Sequence, residues 1–117
     1  MAITIRESSA DEMNATTFAL WTGDNEGATI EVAEDESGAI VGFVQRDGAY
    51  IRSLESNAPG VGRALVDYVK ADMGDWLQAC NVSARCAGFW QKMGFEQASR
   101  STVSALDYNY EWYADAD

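Results

Sequence analysis

Apolar and polar residues alternate over residues 2–7, with Ile3 and Ile5 set against Thr4 and Arg6, and a period of two predicts a first strand. Ser8-Ser9-Ala10-Asp11-Glu12 then carries a helix-start signal, small hydroxyl residues followed by acids, which predicts a short helix over about 9–20. Gly23-Asp24-Asn25-Glu26-Gly27 breaks the chain. Beyond it, Ala28–Glu36 and Ala39–Arg46 read as two strands joined at Ser37-Gly38, a hairpin signal. After Asp47-Gly48, Ala49–Glu55 reads as a third antiparallel strand. Gly60-Val61-Gly62 opens the clearest helix. Val61, Ala64, Leu65, Tyr68 and Val69 fall on one apolar face at helical spacing, and Gly74 ends the run. Trp76–Val82 follows as a strand, Ala84–Met93 as a second amphipathic helix stopped at Gly94, and Phe95–Ser104 and Leu106–Tyr113 as two closing strands. Tyr108, Tyr110 and Trp112 share one face of the last.

That order predicts the α/β class in its mixed α+β form, a central, mostly antiparallel sheet flanked by helices. With 117 residues, 47% of them apolar, there is material for one core, and a single domain over 1–117 is expected. Ten glycines and one proline are too few for a linker, and no repeat of the solenoid kind is present.

Charge and residue usage narrow the chemistry. A net charge of −11 repels phosphate backbones and anionic membranes and favours a cationic partner such as an amine, though acidity also simply keeps a small protein in solution. No nucleic acid and no membrane are expected. The N-terminal residues carry no cationic stretch followed by a long apolar run, and a cytoplasmic location is the expectation. Histidine is absent, which removes the commonest general base and metal ligand and leaves carboxylates, Tyr, Ser, Cys, water or a cofactor. No metal site is expected, and Cys80 and Cys86 read as free thiols filling the core.

Two motifs carry candidate chemistry. Asn57-Ala58-Pro59-Gly60-Val61-Gly62-Arg63-Ala64-Leu65 is a glycine-rich turn between a strand and a helix. Such a turn lets backbone N–H groups approach an anion, beside the partial positive charge of the helix N-terminus and the full one of Arg63; glycine also serves ligand-free turns. The second motif, Cys86-Ala87-Gly88-Phe89-Trp90-Gln91-Lys92-Met93-Gly94-Phe95, sets two aromatics late on a helix that hands over to a strand. By itself that is more often core packing than ligand contact.

Taken together the two motifs resemble the GNAT N-acetyltransferases, in which a central strand runs into a Q/R-x-x-G-x-G/A loop and a later helix ends in a phrase like A-x-x-F-Y-E-K-L-G-F. The hairpin phrase Gly38-Ala39-Ile40-Val41-Gly42-Phe43-Val44 is similar to that family's G-x-x-V-G-F strand, and the resemblance covers roughly 28–113. It implies an acetyl-CoA-dependent transferase that acetylates an amine of a small molecule or protein by direct attack. Acetyl-CoA, as co-substrate, would lie between the fourth and fifth strands. Its pyrophosphate would meet the amides of Gly60, Val61, Gly62, Arg63 and Ala64, with Asn57 and Trp90 also at the site, and its pantetheine would pair with backbone around Leu54–Ser56. A backbone N–H near Leu54 would hold the thioester carbonyl.

The chain departs from the family pattern in three places. Asn57 stands where Gln or Arg is usual, on a stretch between Leu54 and Gly60 shorter than the family's; Trp90 stands where a proton-donating tyrosine is common; the segment before Gly27 is short. Ser83, Cys86, Tyr108 and Tyr110 are the alternative proton donors, with Ser83 first. A primary amine, of pKa ~10.4, must lose a proton before it attacks. Glu55 is the first choice of base, and Glu31 and Glu34 the second or else contacts for a cationic acceptor. The Trp90 departure also supports a GNAT-like module that binds CoA or a protein partner without turnover. A third expectation is an interaction protein using Tyr108–Tyr113 as a partner face. Dimers are frequent in the family, so a homodimer is expected.

Overall fold

The computed structural model describes residues 2–25, 27–103 and 106–114. In chain order the elements are β1 (Thr4–Ser8), α1 (Ala10–Met13), β2 (Thr29–Glu34), β3 (Ile40–Asp47), β4 (Tyr50–Ser56), α2 (Val61–Met73), β5 (Trp76–Val82), α3 (Ala87–Lys92), β6 (Glu96–Arg100) and β7 (Tyr108–Tyr113). They form one seven-stranded sheet in the order β1-β2-β3-β4-β5-β7-β6, antiparallel at every junction except β4–β5. This is the expected mixed α/β class. The parallel junction follows from α2, the crossover that carries the chain from β4 to β5.

The period-two pattern sorts the two faces of the sheet. Ala33, Val44, Ile51, Leu77, Ala79 and Tyr110 face α2 and α3 and pack with Leu65, Val69, Trp90 and Phe95 in the main core. Ile30, Val32 and Phe43 face the other way and enclose Met13, with Phe18 and Trp21 over them. On the main-core side a buried ion pair joins β2 to β3. Arg46 donates from Nε and Nη2 to the two oxygens of Glu31, at 2.8 and 2.6 Å, and from Nη2 to Asp72 of α2 at 2.7 Å. Glu31 is thereby occupied in the core, and Glu34 pairs with Arg6, so neither second-choice acid is free to meet an acceptor.

Five expectations shift. The helix over 9–20 is a single turn, Ala10–Met13. Ser9 caps it by accepting from the Glu12 amide at 3.2 Å, but Asn14 ends it and the β-branched pair Thr16-Thr17 disfavours a second turn. In α2 the buried stripe is Val61, Gly62, Leu65, Val66 and Val69, while Tyr68 is exposed, because the helix lies flat on a sheet and buries an arc wider than one seam. Helix α3 starts at Ala87 because residues 84–86 form a turn, in which Ser83 accepts from the amides of Cys86 and Ala87 at 3.0 and 3.1 Å. Strand β6 stops at Arg100, and Ser104, the end of the expected strand, lies outside the described residues. Tyr108, Tyr110 and Trp112 share a face as expected, but it packs into the main core, so they form no partner surface.

Candidate active site between splayed strands

The central feature of the sheet is a ladder that stops early. Strands β4 and β5 pair only at Tyr50↔Gln78 and Ile51↔Ala79, then diverge, so Arg52–Ser56 and Cys80–Val82 have no ladder between them. Two bulges drive the divergence. Arg52 is an extra residue in β4 against β3, where Ser53 pairs with Gln45 and Ile51 with Arg46. Strand β5 carries one extra residue against β7 between Ala79 and Val82, where Asn81 takes a left-handed φ of 56°. Each bulge bends its strand away from the neighbour.

The opening holds a cavity of about 270 Å³, lined by residues that include Leu54, Cys80, Ser83, Cys86 and Trp90. Leu54, Ser83 and Trp90, picked out from separate stretches of sequence, thus share one wall. Trp90 is buried, wedged edge-on between Phe89 and Phe95 with centroids 5.1 and 5.0 Å away. Cys80 and Cys86 are not core fillers. Cys80 is half-buried and Cys86 exposed, both at the cavity, and burial pushes the Cys80 thiol above its ordinary pKa, partly offset by nearby Arg52. Tyr108 and Tyr110 do not line it; Tyr110 is a buried core residue.

The glycine-rich turn forms the N-terminus of α2, a helix of 13 residues. Gly60 is the N-cap at φ 80°, with no side-chain cap and no acid in the first turn. That left-handed geometry is strained for other residues, and a Cβ at Gly60 would meet nothing within 4 Å, so the approach to the amides is open. The Val61 amide donates to Ala58 at 3.3 Å and the Ala64 amide to Gly60 at 3.1 Å. The amides of Gly62 and Arg63 have no acceptor among the described residues, as expected for a first turn. Val61 itself is fully buried, whereas Arg63 is exposed. Gly62 meets Phe89 of α3, and Ser56 lies beside it: a Cβ there would stand 3.1 Å from the Phe89 ring and 3.4 Å from Ser56 Oγ.

Glu55 and Asn57 fall elsewhere. By strand parity Glu55 pairs with Phe43 and faces the α1 side, while Leu54 pairs with Val44 on the other. The Glu55 carboxylate accepts from the amides of Ala19 at 3.2 Å and Leu20 at 2.7 Å. With Asn57 and Glu12 it lines a second, larger cavity of about 510 Å³ on the α1 side. The general-base reading of Glu55 therefore gains nothing from this geometry, since both carboxylate oxygens are held by loop amides. Leu20, which the sequence did not single out, reaches the first cavity from the other face of the sheet. Among the described residues no cluster of three His, Cys, Asp or Glu side chains is placed to hold a metal ion.

The fold of the chain, a mixed sheet whose fourth and fifth strands run parallel, is similar to that of solved structures. The apo form of YjaB from Escherichia coli superposes with a TM-score of 0.68 over 99% of this chain and 100% of that one, at 23% identity. A GNAT-family acetyltransferase from Staphylococcus aureus Mu50 matches with a TM-score of 0.68 over 97% of this chain and 100% of its own, at 14% identity. The chain has the GNAT acetyltransferase fold. A Bacillus anthracis chain assigned as a streptothricin acetyltransferase, solved in complex with acetyl coenzyme A, shares the GNAT fold over the full length of both chains with a TM-score of 0.57 and 16% identity. Neither a protein-family model nor a curated protein sequence matches this one. Among the described residues no helix is long and apolar enough to cross a membrane.

Proposed function

We propose that this chain is an acetyl-CoA-dependent N-acetyltransferase. The observation that carries the reading is the splay of β4 from β5, which opens a cavity between two unladdered strand edges beside the N-terminus of α2. The residues present fit the ligand. The β4 edge at Leu54–Ser56 offers peptide groups to the peptide-like pantetheine, and the Gly62 and Arg63 amides, the helix dipole and the exposed Arg63 side chain favour an anion where the pyrophosphate would rest. A neighbour of the same fold was solved with acetyl coenzyme A bound. When bound, the thioester would supply the activated acyl group, and a backbone N–H near Leu54 would be the donor to its oxygen.

Support for an amine acceptor comes from charge. The chain carries a net charge of −11, which attracts a cationic amine. For the proton that the departing thiolate needs, Ser83 is the first choice, since it lines the cavity, and Cys86 the second. General-acid help is typically worth ~10²–10⁴-fold.

The test is calorimetric titration with acetyl-CoA of the native protein and of Arg63→Glu, an exposed substitution that reverses charge at the proposed pyrophosphate position. Micromolar binding, weakened tenfold or more in the variant, supports the site, and CoA release across a panel of amines then finds the acceptor. No binding to the native protein overturns the reading. Trp90 favours a second reading, because an indole cannot donate the proton a tyrosine would: tight binding with no CoA release on any amine assigns the chain to a binding module.

A further inference from the structure

The cavity between β4 and β5 is walled from both faces of the sheet. Trp90 belongs to the core beneath α2 and α3, whereas Leu20 comes from the α1–β2 segment, whose neighbours Phe18 and Trp21 pack over Phe43 on the opposite face. Leu20 is half exposed, at 49%, an apolar side chain at the cavity with surface left for a ligand to cover. What keeps it there is the bidentate hold of Glu55 on the Ala19 and Leu20 amides. Behind this arch lies the larger cavity, lined by Phe18 and Glu55.

We propose that Leu20, positioned by Glu55, is the wall that limits the length of the acyl group the cleft accepts. The inference rests on the acetyl-CoA reading. A ligand anchored by its phosphates at the start of α2 enters from the α2 and α3 side and carries its acyl end toward the opposite face, where Leu20 stands. An acetyl methyl covers part of the exposed leucine; a longer chain collides with it. Removing Leu20, or releasing the arch that holds it, joins the cleft to the larger cavity and gives a longer chain apolar surface to bury, each fully buried methylene tightening binding about fourfold.

The experiment is calorimetry of CoA, acetyl-CoA, butyryl-CoA and hexanoyl-CoA on the native protein and on Leu20→Ala, Leu20→Phe, Glu55→Ala and Glu55→Gln, with the fold of each variant checked by circular dichroism. The native protein binds hexanoyl-CoA at least tenfold more weakly than acetyl-CoA. L20A and E55A close that gap, E55Q, which keeps one acceptor oxygen, closes it in part, and L20F weakens acetyl-CoA. CoA itself, which has no acyl group, binds all five proteins alike, a pattern that mere loss of structure would not give. If acetyl-CoA binds the native protein but L20A leaves the acetyl-to-hexanoyl ratio unchanged, the role of Leu20 is overturned while the acetyl-CoA reading stands. If no thioester binds the native protein, both fall.

Discussion

The ring of Phe89 occupies the space that a side chain on Gly62 would need: a Cβ there would stand 3.1 Å from it. The first turn of α2 and the helix α3 are therefore fixed against each other, which sets the anion-binding end of one helix beside the aromatic wall of the cleft. The two glycines of the turn accordingly have different jobs. Gly62→Val overpacks this contact and should lower stability by about 1–3 kcal/mol. Gly60→Ala meets open space and bears only the strain of a left-handed φ, roughly 1 kcal/mol. Urea unfolding midpoints of the two variants distinguish them, and equal losses would contradict the close approach.

Arg46 and Glu31 are both nearly inaccessible, with side chains 7% and 5% exposed. The neighbouring carboxylates hold the Arg46 guanidinium well above its ordinary pKa, so it stays charged whenever the chain is folded. Losing Arg46 strands the Glu31 charge in the core, and losing Glu31 leaves Arg46 only the exposed Asp72 as a carboxylate partner among the described residues. Glu31→Met or Arg46→Met should each cost about 3–5 kcal/mol, while the double change Glu31→Met with Arg46→Met should cost clearly less than the sum. A double-mutant cycle by chemical denaturation measures this, and additive losses would show that the two side chains do not act as a pair.

Much of this architecture could be read along the chain, and the exceptions share a cause. Helix α2 and strand β5 were legible because Gly60 and Gly74 bracket one and alternating Leu77, Ala79 and uncharged neighbours mark the other. Leu54, Ser83 and Trp90 line one cavity because the order of elements brings β4, the end of β5 and α3 together. The hold of Glu55 on the loop is not legible in the sequence because its partners, the amides of Ala19 and Leu20, lie 36 and 35 residues away and belong to a segment with no periodic signal. Parity alone hinted that Leu54 and Glu55 face opposite ways. Leu20 was invisible for the same reason: nothing local to it says that a carboxylate elsewhere pins it over a cleft. The cysteines show a different limit, in that hydrophobic character predicts burial but not which side of a cavity wall a thiol faces.

Glu12 links acid stability to β1. Arg6 donates from Nη1 and Nη2 to its two oxygens at 2.9 and 2.6 Å, Ser8 adds a third bond, and these hold its pKa at about 2 against an ordinary 4.5. A carboxylate whose pKa is depressed by folding contributes stability above its unfolded value, and that contribution is lost as pH falls through the folded one. Stability should therefore decline between about pH 4.5 and about pH 2, and Glu12→Gln should flatten that part of the profile. The side chains are 40% and 36% exposed, so added salt should flatten it too. Thermal midpoints against pH at low and high salt provide the check; a slope that survives E12Q would place the acid sensitivity at other carboxylates.

The two thiols offer a reporter of the cleft that does not depend on turnover. Cys86 is exposed at its mouth, and Cys80 is half-buried with a thiol whose pKa burial raises, so at neutral pH less of it is thiolate, the reactive form. An alkylating reagent should label Cys86 first and Cys80 several-fold more slowly, as mass spectrometry of timed digests would show. Because both line the cavity at Leu54 and Trp90, a ligand in the opening has to cover them. On the proposed reading acetyl-CoA slows both reactions, Cys80 the more because it sits in the strand edge that the ligand fills, and Arg63→Glu weakens that protection in proportion to its lost affinity. Protection of Cys86 alone would put the ligand at the mouth only, and labelling that ignores acetyl-CoA while calorimetry reports binding would put the ligand outside this cleft altogether.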